Sequence, residues 1–380
     1  MKLTDVVNRI NGNVDRFTTD LEYYIGGEHF ESNELEVTQK GILKENLGKL
    51  GFKFHFAFQD RDVIFMARNP HLRKAGMVRF AGLCSDASYI LRSKDESVLS
   101  QEYLAVMLQS NHFWDYCESH KVGSVNFANN WSSIANYEFD LPSPEYQKEV
   151  SDKVWAAYRL KKSYRQLLAA TQEMVKSQFI EMFGHAEKTK PLSDFIEVSF
   201  PGEWGQEDKD GNGVKVIRTT NFTNTGKLNL ADVVTRDIDS NKVEKKKLKK
   251  GDIILERSGG TNDNPVGRVV YFNEDGLYLF NNFTQLLRCK EEVNSLFIFY
   301  SLFNYYQMNK RIIRSMGNKT TGIQNLKMDQ YWQIPIADVS LELQERFVSI
   351  YHQADKSEFE LRKSIESIDK VIKSLINYNA

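Results

Sequence analysis

One helical pattern occurs twice in this chain, and the two copies keep the same register. The first copy reads PEYQKEV at 144–150 and EMVKSQFI at 173–180, and the second reads LELQERF at 341–347 and DKVIKSLI at 369–376. Gln147 aligns with Gln344 and Lys176 with Lys373, both 197 residues apart (344 − 147 and 373 − 176). A unit of this length is too long for a solenoid repeat, so the pattern predicts a tandem of two similar folding units.

Each copy predicts a long helix with an apolar seam. Residues 145–183 contain no proline or glycine, and neither do residues 341–378, as an uninterrupted helix requires. The second helix steps by 4, 3, 4 and 3 residues through Leu361, Ile365, Ile368, Ile372 and Leu375, with Val371 beside this seam. The same register in the first helix gives Tyr164, Leu168, Thr171, Val175 and Gln178, flanked by Leu160, Leu167 and Met174.

These heptad seams predict that the two helices pack on each other. The flanking leucines and methionine widen the apolar face beyond what a two-helix seam needs, so we expect apolar surface to remain for a further partner. The alternative is that each helix covers only its own globular domain.

The rest of the sequence predicts two globular domains of the α+β class. This divides the chain into a first globular domain at 1–143, a helix at 144–184, a second globular domain at 185–338 and a helix at 339–380. Strands are predicted in FKFHFAF (52–58), DVIFMAR (62–68), GVKVIRTTNF (213–222), GDIILERSGG (251–260) and VGRVVYF (266–272), and helices in 100–119 and 294–316. The domains also echo each other, because Asp62 corresponds to Asp252 and VGSVNF (122–127) to TGIQNL (321–326).

Composition is that of a globular protein, with 41% hydrophobic and 27% charged residues among 380. No charge-free apolar run approaches the roughly 18–20 residues of a membrane-spanning helix, and the first residues lack the apolar core of a signal peptide. A cytoplasmic location is therefore expected. Cys84, Cys117 and Cys289 lie far apart and outside any C-x-x-C spacing, which predicts buried free thiols rather than a disulfide or zinc site.

Sequence motifs of common enzymes are absent. The chain has no P-loop, no H-E-x-x-H and no G-x-S-x-G, and its Asn-Pro pairs at 69–70 and 264–265 lack the aromatic residue of a DNA-methylase loop. Two weaker patterns leave alternatives open. Glu244 and Lys246 could end a nuclease metal site, and DKDGNG at 208–213 has the beginning of a calcium loop, but Thr219 stands where that loop needs a glutamate. A polar turn is the simpler interpretation of the second pattern.

Taken together, these strings resemble the specificity (S) subunit of a Type I restriction-modification system over essentially the whole chain. The resemblance is carried by LPSPEYQKEV (141–150), IPIADVSLELQERF (334–347), VIRTTNF (216–222), LKKGDIIL (248–255) and FAGLCS (80–85), in this arrangement around the duplicated helices. It implies two target-recognition domains and two helical spacers that pack as an antiparallel coiled coil. Each domain would read one half of a bipartite, asymmetric site in double-stranded DNA.

The resemblance also implies the partners. Two modification (methyltransferase) subunits would dock on the helices, and restriction (translocase and nuclease) subunits would join them. The chain itself would be non-catalytic and bind no cofactor or metal, because S-adenosylmethionine, ATP and magnesium would belong to those partner subunits. The helices, at about 1.5 Å per residue, would span on the order of 55 Å and set the gap between the half-sites. The S subunit of a Type IIB system and a coiled-coil adaptor without a DNA role remain alternatives.

DNA-contacting residues are expected in loops that mix cationic, amide and hydroxyl side chains, because cations bind phosphates and the others can read base edges. The candidates in the first domain are Arg68, Arg73, Lys74, Arg79, Lys121, Ser124, Asn126 and Asn129. Those in the second are Arg218, Thr220, Asn221, Lys245, Lys247, Arg257, Thr261, Asn262, Arg268, Asn318, Lys319, Thr320 and Thr321. The two lysines come from KVEKKKLKKGD (242–252), a basic run in a chain of net charge −1, for which a solvated strand or turn is the alternative interpretation.

Overall fold

A computed structural model describes residues 1–261, 263–320 and 323–378. The chain forms two compact units. Unit 1 consists of 1–168 and the stretch from residue 360 onward, and unit 2 consists of 169–359. Each unit therefore contains one globular part and one portion of each long helix. In the described residues, no helix is long and apolar enough to cross a membrane.

The globular part of unit 1 contains two small sheets and five short helices. The strands are β1 (Val7–Ile10), β2 (Tyr23–Ile25), β3 (Glu36–Val37), β4 (Gly41–Ile42), β5 (Phe54–Phe58), β6 (Val63–Met66), β7 (Ala75–Val78), β8 (Gly82–Ser85) and β9 (Ser88–Ser93). The helices are α1 (Leu3–Val6), α2 (Leu43–Asn46), α3 (Gln101–Met107), α4 (Asn111–Ser119) and α5 (Trp131–Ala135). The sheet orders are β1-β9-β6-β7-β3 and β4-β2-β8-β5.

The long helices are α6 (Pro144–Phe183) and α11 (Leu341–Asn377). Between them, unit 2 contains the strands β10 (Thr189–Pro191), β11 (Ile196–Val198), β12 (Gln206–Glu207), β13 (Val214–Ile217), β14 (Val234–Asp237), β15 (Ile253–Glu256), β16 (Ser258–Gly259), β17 (Val269–Tyr271), β18 (Tyr278–Phe280), β19 (Thr284–Cys289), β20 (Gly317–Thr320), β21 (Ile323–Leu326) and β22 (Pro335–Ala337). Its short helices are α7 (Ser240–Lys246), α8 (Ser295–Met308), α9 (Lys310–Ser315) and α10 (Met328–Tyr331). The sheet orders are β11-β19-β15-β17, β12-β14-β13-β18, β16-β21-β20 and β10-β22.

A buried antiparallel strand is the centre of each globular part. β6 lies between β7 and β9, and β15 lies between β17 and β19, with all four residues of each central strand buried. An aspartate precedes each strand. Asp62 accepts two hydrogen bonds from Arg92 at 2.8 and 2.9 Å, and Asp252 accepts two from Arg288, both at 2.7 Å. The correspondence of Asp62 with Asp252 is thus confirmed, and both carboxylates have a structural role.

The long helices complete the core of each unit. In unit 1, Trp155 and Tyr158 of α6 share one apolar core with Ile372 of α11 and the globular part. In unit 2, Phe179 and Phe183 of α6 share a core with Phe347 of α11 and with α8. The beginning of α6 therefore packs with the end of α11, and the end of α6 with the beginning of α11. The predicted α+β class and antiparallel helix pairing are confirmed.

The seam residues of the two long helices are buried to different extents, because the helices also pack on the globular parts. Val175 and Ile372 are buried, whereas Ile368 and Leu375 are partly buried against the core of unit 1. Tyr164, Leu168, Leu361 and Ile365 are half-buried. The flanking apolar residues Leu160, Leu167, Met174 and Val371 are 43–52% exposed, so the structure retains the apolar surface that the sequence predicted.

Two of the predicted helices are interrupted. The segment 100–119 forms α3 and α4, because the Ser110 hydroxyl accepts a hydrogen bond from Phe113 N and starts a new helix. The segment 294–316 likewise divides into α8 and α9 at Asn309. The four-segment division at 143, 184 and 338 remains a prediction, since the compact units cut through both long helices rather than at their ends.

The cysteines are free thiols, as predicted. Cys84 and Cys117 are buried and Cys289 is half-buried. Burial raises the pKa of the Cys84 and Cys289 thiols to about 12, which disfavours the reactive thiolate at neutral pH.

The aligned glutamines Gln147 and Gln344 make the same contacts in the two units. The side-chain oxygen of Gln147 accepts from Ser100 N at 3.0 Å, and that of Gln344 accepts from Asn294 N at 3.0 Å. Ser100 and Asn294 are the residues that precede α3 and α8. Each glutamine also donates to the carbonyl five residues earlier, Pro142 at 3.0 Å and Val339 at 3.1 Å.

We expect Gln147→Leu and Gln344→Leu each to reduce the free energy of unfolding by about 1–3 kcal/mol, because each leaves partly buried main-chain groups without partners. Gln166→Leu on the exposed side of α6 is the matched control and should have little effect. Urea unfolding of the full chain measures all three. Equal unfolding midpoints for Gln147→Leu and Gln166→Leu would contradict the proposed role.

Candidate nucleic-acid interface

Two loops of unit 1 that are distant in sequence are joined through their main chains. Asn69 N donates to Phe127 O at 2.8 Å, and Asn129 N donates to Ala67 O at 2.8 Å. Arg68 and Ala128 form an antiparallel bridge between these bonds. The loop that follows β6 and the loop 121–129 therefore form one surface, although about 55 residues separate them in the sequence (122 − 67).

Unit 2 joins the equivalent loops in a similar way. β16, which follows β15, pairs with β21, and Ser258 lies opposite Asn325. Leu326 N donates to Arg257 O at 2.8 Å. The string VGSVNF and the described part of TGIQNL (323–326) thus occupy corresponding places, each beside the segment that follows the central strand. This position explains why the two strings are alike in globular parts that otherwise differ.

Several predicted residues of unit 1 present polar groups on the joined loops. Arg68 is exposed, and no side-chain partner for it is found in the described ranges. Ser124 and Asn126 are exposed at the tip of the second loop. Arg73 donates to Asn111 Oδ1 at 2.7 Å, and Lys121 pairs with Glu118 at 2.7 Å. Both pairs are partly solvated, so a phosphate could replace the protein partner.

Three other predictions in unit 1 fall on side chains that stabilise the fold. Lys74 Nζ donates to Gly27 O at 2.7 Å. Arg79 pairs with Glu36 at 3.2 Å and lies over the Trp155 ring. Asn129 is 1% exposed and its amide donates to Cys117 O at 2.7 Å. Asn129 cannot reach a ligand in this arrangement.

Unit 2 also uses predicted residues for structure. Arg268 forms a two-point ion pair with Glu256, at 2.7 and 3.1 Å, and the Glu256 side chain is only 2% exposed. Asn221 is buried, and its amide donates to Asn229 O and Asp232 O. Arg218 pairs with Asp232 at 3.0 Å. The contacts of Asn221 and Arg218 hold the 218–222 segment against residues 229–232.

The remaining candidates of unit 2 are more accessible. Thr220, Thr261 and Asn318 are exposed, and Arg257 is half-buried with Nη1 3.4 Å from Gln285 Oε1. The candidates Asn262 and Thr321 lie outside the described residues. The side chains of Lys319 and Thr320 are also outside them, although both residues belong to β20.

The first part of the lysine run, up to Lys246, belongs to helix α7, and the rest continues through a loop with a turn at 250–251. Asp239 caps α7, and Lys242 and Lys246 both pair with Glu203. Lys247 pairs with Glu244 at 2.7 Å, whereas Lys245 is exposed and has no ion pair among the described residues. The run is therefore largely neutralised by nearby carboxylates.

The two metal-site patterns have other partners. The Glu244 carboxylate pairs with Lys247, and Lys246 pairs with Glu203. The Asp208 carboxylate accepts from Asn212 N and Gly213 N at 3.1 and 3.0 Å, which is the geometry of a polar turn. Across the parts of the chain that the structure describes, no group of three or more histidine, cysteine, aspartate or glutamate side chains could hold a metal ion.

Val125 is an exposed apolar residue that the sequence did not single out. Val125 is 83% exposed between Ser124 and Asn126 on the loop of unit 1. An apolar side chain flanked by polar residues in a glycine-containing loop was the available signal. Such a group can contact the methyl group of thymine.

Comparisons with known proteins agree with this architecture. Residues 187–369 match the family model of the Type I restriction modification DNA specificity domain. The S subunit of a Type I restriction-modification system from M. genitalium is 12% identical, with a TM-score of 0.57 over 99% of this chain and 94% of that one. A chain from a study of complex assembly and conformational transition of the type I R-M system is 16% identical, with a TM-score of 0.55 over 99% and 95%. No curated protein gives a significant match.

We expect Arg68→Ala to weaken binding of duplex DNA by the full chain with little change in stability. One phosphate contact is lost, so the slope of log binding constant against log salt concentration should fall by about 1. Arg268→Ala should instead destabilise unit 2 by roughly 3–5 kcal/mol, because Glu256 is left as a buried, unpaired charge. Fluorescence anisotropy across a salt series and thermal unfolding separate the two outcomes. Unchanged DNA affinity for Arg68→Ala would exclude this arginine from the interface.

Proposed function

We propose, on the premise that residues 187–369 form a Type I restriction modification DNA specificity domain, that this chain is the S subunit of a Type I restriction-modification complex. The resemblance recognised in the sequence is confirmed by the family match and the shared fold. The finer proposal is that the chain reads a bipartite, asymmetric site in double-stranded DNA. The observation that supports it is the repetition of one joined pair of loops with different exposed side chains.

The two loop pairs divide the work of DNA recognition between cations and neutral polar groups. Arg68, Arg73 and Lys121 would bind phosphates, which contribute affinity and orientation without sequence information. Ser124 and Asn126 in unit 1 would approach base edges. Thr220, Thr261 and Asn318 are the matching candidates in unit 2. Because the two sets differ, each unit would read a different half-site.

The long helices would act as the spacer and the docking surface. Both helices run from one compact unit into the other, so their length would set the gap between half-sites. The exposed apolar side chains of Leu160, Leu167, Met174 and Val371 would pack against two modification subunits. Exposed apolar side chains on a helix favour a protein partner.

The family of specificity subunits is generally non-catalytic, and we extend this to the present chain. In the proposal, the modification subunits supply S-adenosylmethionine and the methyl transfer, and the restriction subunits supply ATP-driven translocation and magnesium-dependent cleavage. The S subunit of a Type IIB system is the second candidate. Neighbouring genes distinguish the two, because a separate translocase favours Type I and a fused nuclease-methylase favours Type IIB.

Two further hypotheses have less support. A nuclease that uses Glu244 and Lys246 would have to break the ion pairs of both residues. Cleavage of DNA by the purified chain with magnesium would revive it. A coiled-coil adaptor without a DNA role would show no salt-dependent binding of duplex DNA, even in its complex.

We expect sequencing of methylated bases in a host that expresses this chain with its modification subunit to reveal a bipartite motif. Replacing the loop 122–127 of unit 1 with a Gly-Ser loop should abolish methylation at that motif. The motif that the native chain selects should still include the second half-site, which unit 2 would read. A host with the modification subunit alone is the control. Methylation that is unchanged without this chain would contradict the proposal.

We expect Leu160→Glu combined with Leu167→Glu to weaken binding of the modification subunit at least 10-fold, because two exposed apolar contacts become charged. Gln166→Glu on the same helix is the control for added charge. Calorimetric titration measures binding, and thermal unfolding checks that the variants remain folded. Native affinity in the double variant would place the docking surface elsewhere.

A further inference from the structure

A buried charged cluster connects the globular part of unit 1 to both long helices. Lys161 of α6 is only 4% exposed. Its ammonium lies 2.8 Å from Glu34 Oε1 and 2.6 Å from Asp369 Oδ1 of α11. Arg165 also contacts Glu34, at 2.9 Å. A buried lysine requires such partners, because an uncompensated charge in this position would be strongly destabilising.

Unit 2 has a cluster of opposite polarity. Glu358 of α11 is 8% exposed, and its carboxylate lies 3.6 Å from Lys227 Nζ of the globular part. Gln172 of α6 donates to Glu358 at 3.4 Å. Lys227 also pairs with Asp355, one helical turn before Glu358. Here the helix provides the acid and the globular part provides the base.

These clusters occupy the same place in the repeat. Lys161 and Glu358 are 197 residues apart (358 − 161), and so are Gln172 and Asp369 (369 − 172). This is the separation that aligns Gln147 with Gln344. The contact between positions 161 and 369 in unit 1 therefore corresponds to the contact between positions 358 and 172 in unit 2, with the charge of the buried helix residue inverted.

The surroundings of the two clusters also correspond. Each cluster lines a cleft between the globular part and the helices of its own unit, about 710 Å³ in unit 1 and 510 Å³ in unit 2. The aligned lysines Lys373 and Lys176 line these clefts. Positions 161 and 358 therefore lie at equivalent places in their units and differ in charge.

We propose that this inverted charge assigns each globular part to its own helix ends. If the globular parts exchanged places, Glu34 would be buried beside Glu358, and Lys227 beside Lys161. Two like charges in such a site are unfavourable, because they repel each other and neither group becomes neutral without a free-energy cost. The pairing of the two helices also depends on opposite charges. Lys161 of α6 pairs with Asp369 of α11, whereas two copies of α11 packed in this geometry would place Asp369 beside Glu358. The proposal does not depend on what the loops bind.

A charge-reversal cycle in the full chain tests this assignment. The four proteins are the native chain, Glu34→Lys, the pair Lys161→Glu with Asp369→Gln, and all three substitutions together. The triple variant gives positions 34, 161 and 369 the charges that unit 2 has at positions 227, 358 and 172. Hydrogen exchange of residues 150–168, followed by mass spectrometry, reports opening of this part of α6. Lys153→Glu disrupts an exposed pair with Glu149 on the same helix and is the control.

Glu34→Lys alone and the helix pair alone should each reduce protection roughly 100-fold or more, as expected for a broken buried ion pair. The triple variant should recover most of that protection, and Lys153→Glu should remain near the native level. Losses that simply multiply in the triple variant would overturn the proposal, because they would show that size and packing, not charge, matter at these positions.

Unit 2 provides a milder version if the unit 1 variants fail to fold. Lys227 is 40% exposed, so Lys227→Glu should reduce protection of residues 345–358 by a smaller factor. Adding Glu358→Lys and Asp355→Lys should restore it. Multiplying losses in unit 2 would overturn the proposal in the same way.

Discussion

The apolar faces of the two long helices cannot be covered by either helix alone, and the rest of the structure depends on how they are covered. In unit 1, residues from the first part of α6 and the last part of α11 enter one core with the globular part. In unit 2, the other parts of the same helices do so. Helix formation and domain packing are therefore coupled, since an isolated helix gains most of its stability from such burial. The first globular part also depends on residues near 372, so its core is completed only when α11 packs against it.

The helices were predictable from the sequence almost to the residue. The predicted limits 145–183 and 341–378 compare with Pro144–Phe183 and Leu341–Asn377. Long segments without proline or glycine and with a heptad seam leave few other conformations. The short elements were less predictable, because one hydroxyl at Ser110 divides a segment that is amphipathic throughout.

The candidate interface was predictable only in part. A polar residue in a loop can face solvent or satisfy buried main-chain groups, and the sequence does not distinguish these outcomes. Asn126 is exposed, whereas Asn129, three residues later, is buried and bonded to Cys117 O. Arg68 is exposed, whereas Arg268 neutralises a buried glutamate. Base specificity also depends on the path of the loop, and composition contains no information about that path.

The glutamines at the start of the long helices have a consequence for how such a chain can change. Among the described residues, the side chains of Gln147 and Gln344 bond to main-chain amides and carbonyls of the residues that they connect to the helix. Every non-proline residue offers the same amide and carbonyl. A foreign globular segment could therefore be grafted at this junction without altering its attachment. The charges at positions 34 and 227 would then decide at which end of the gene the graft is tolerated.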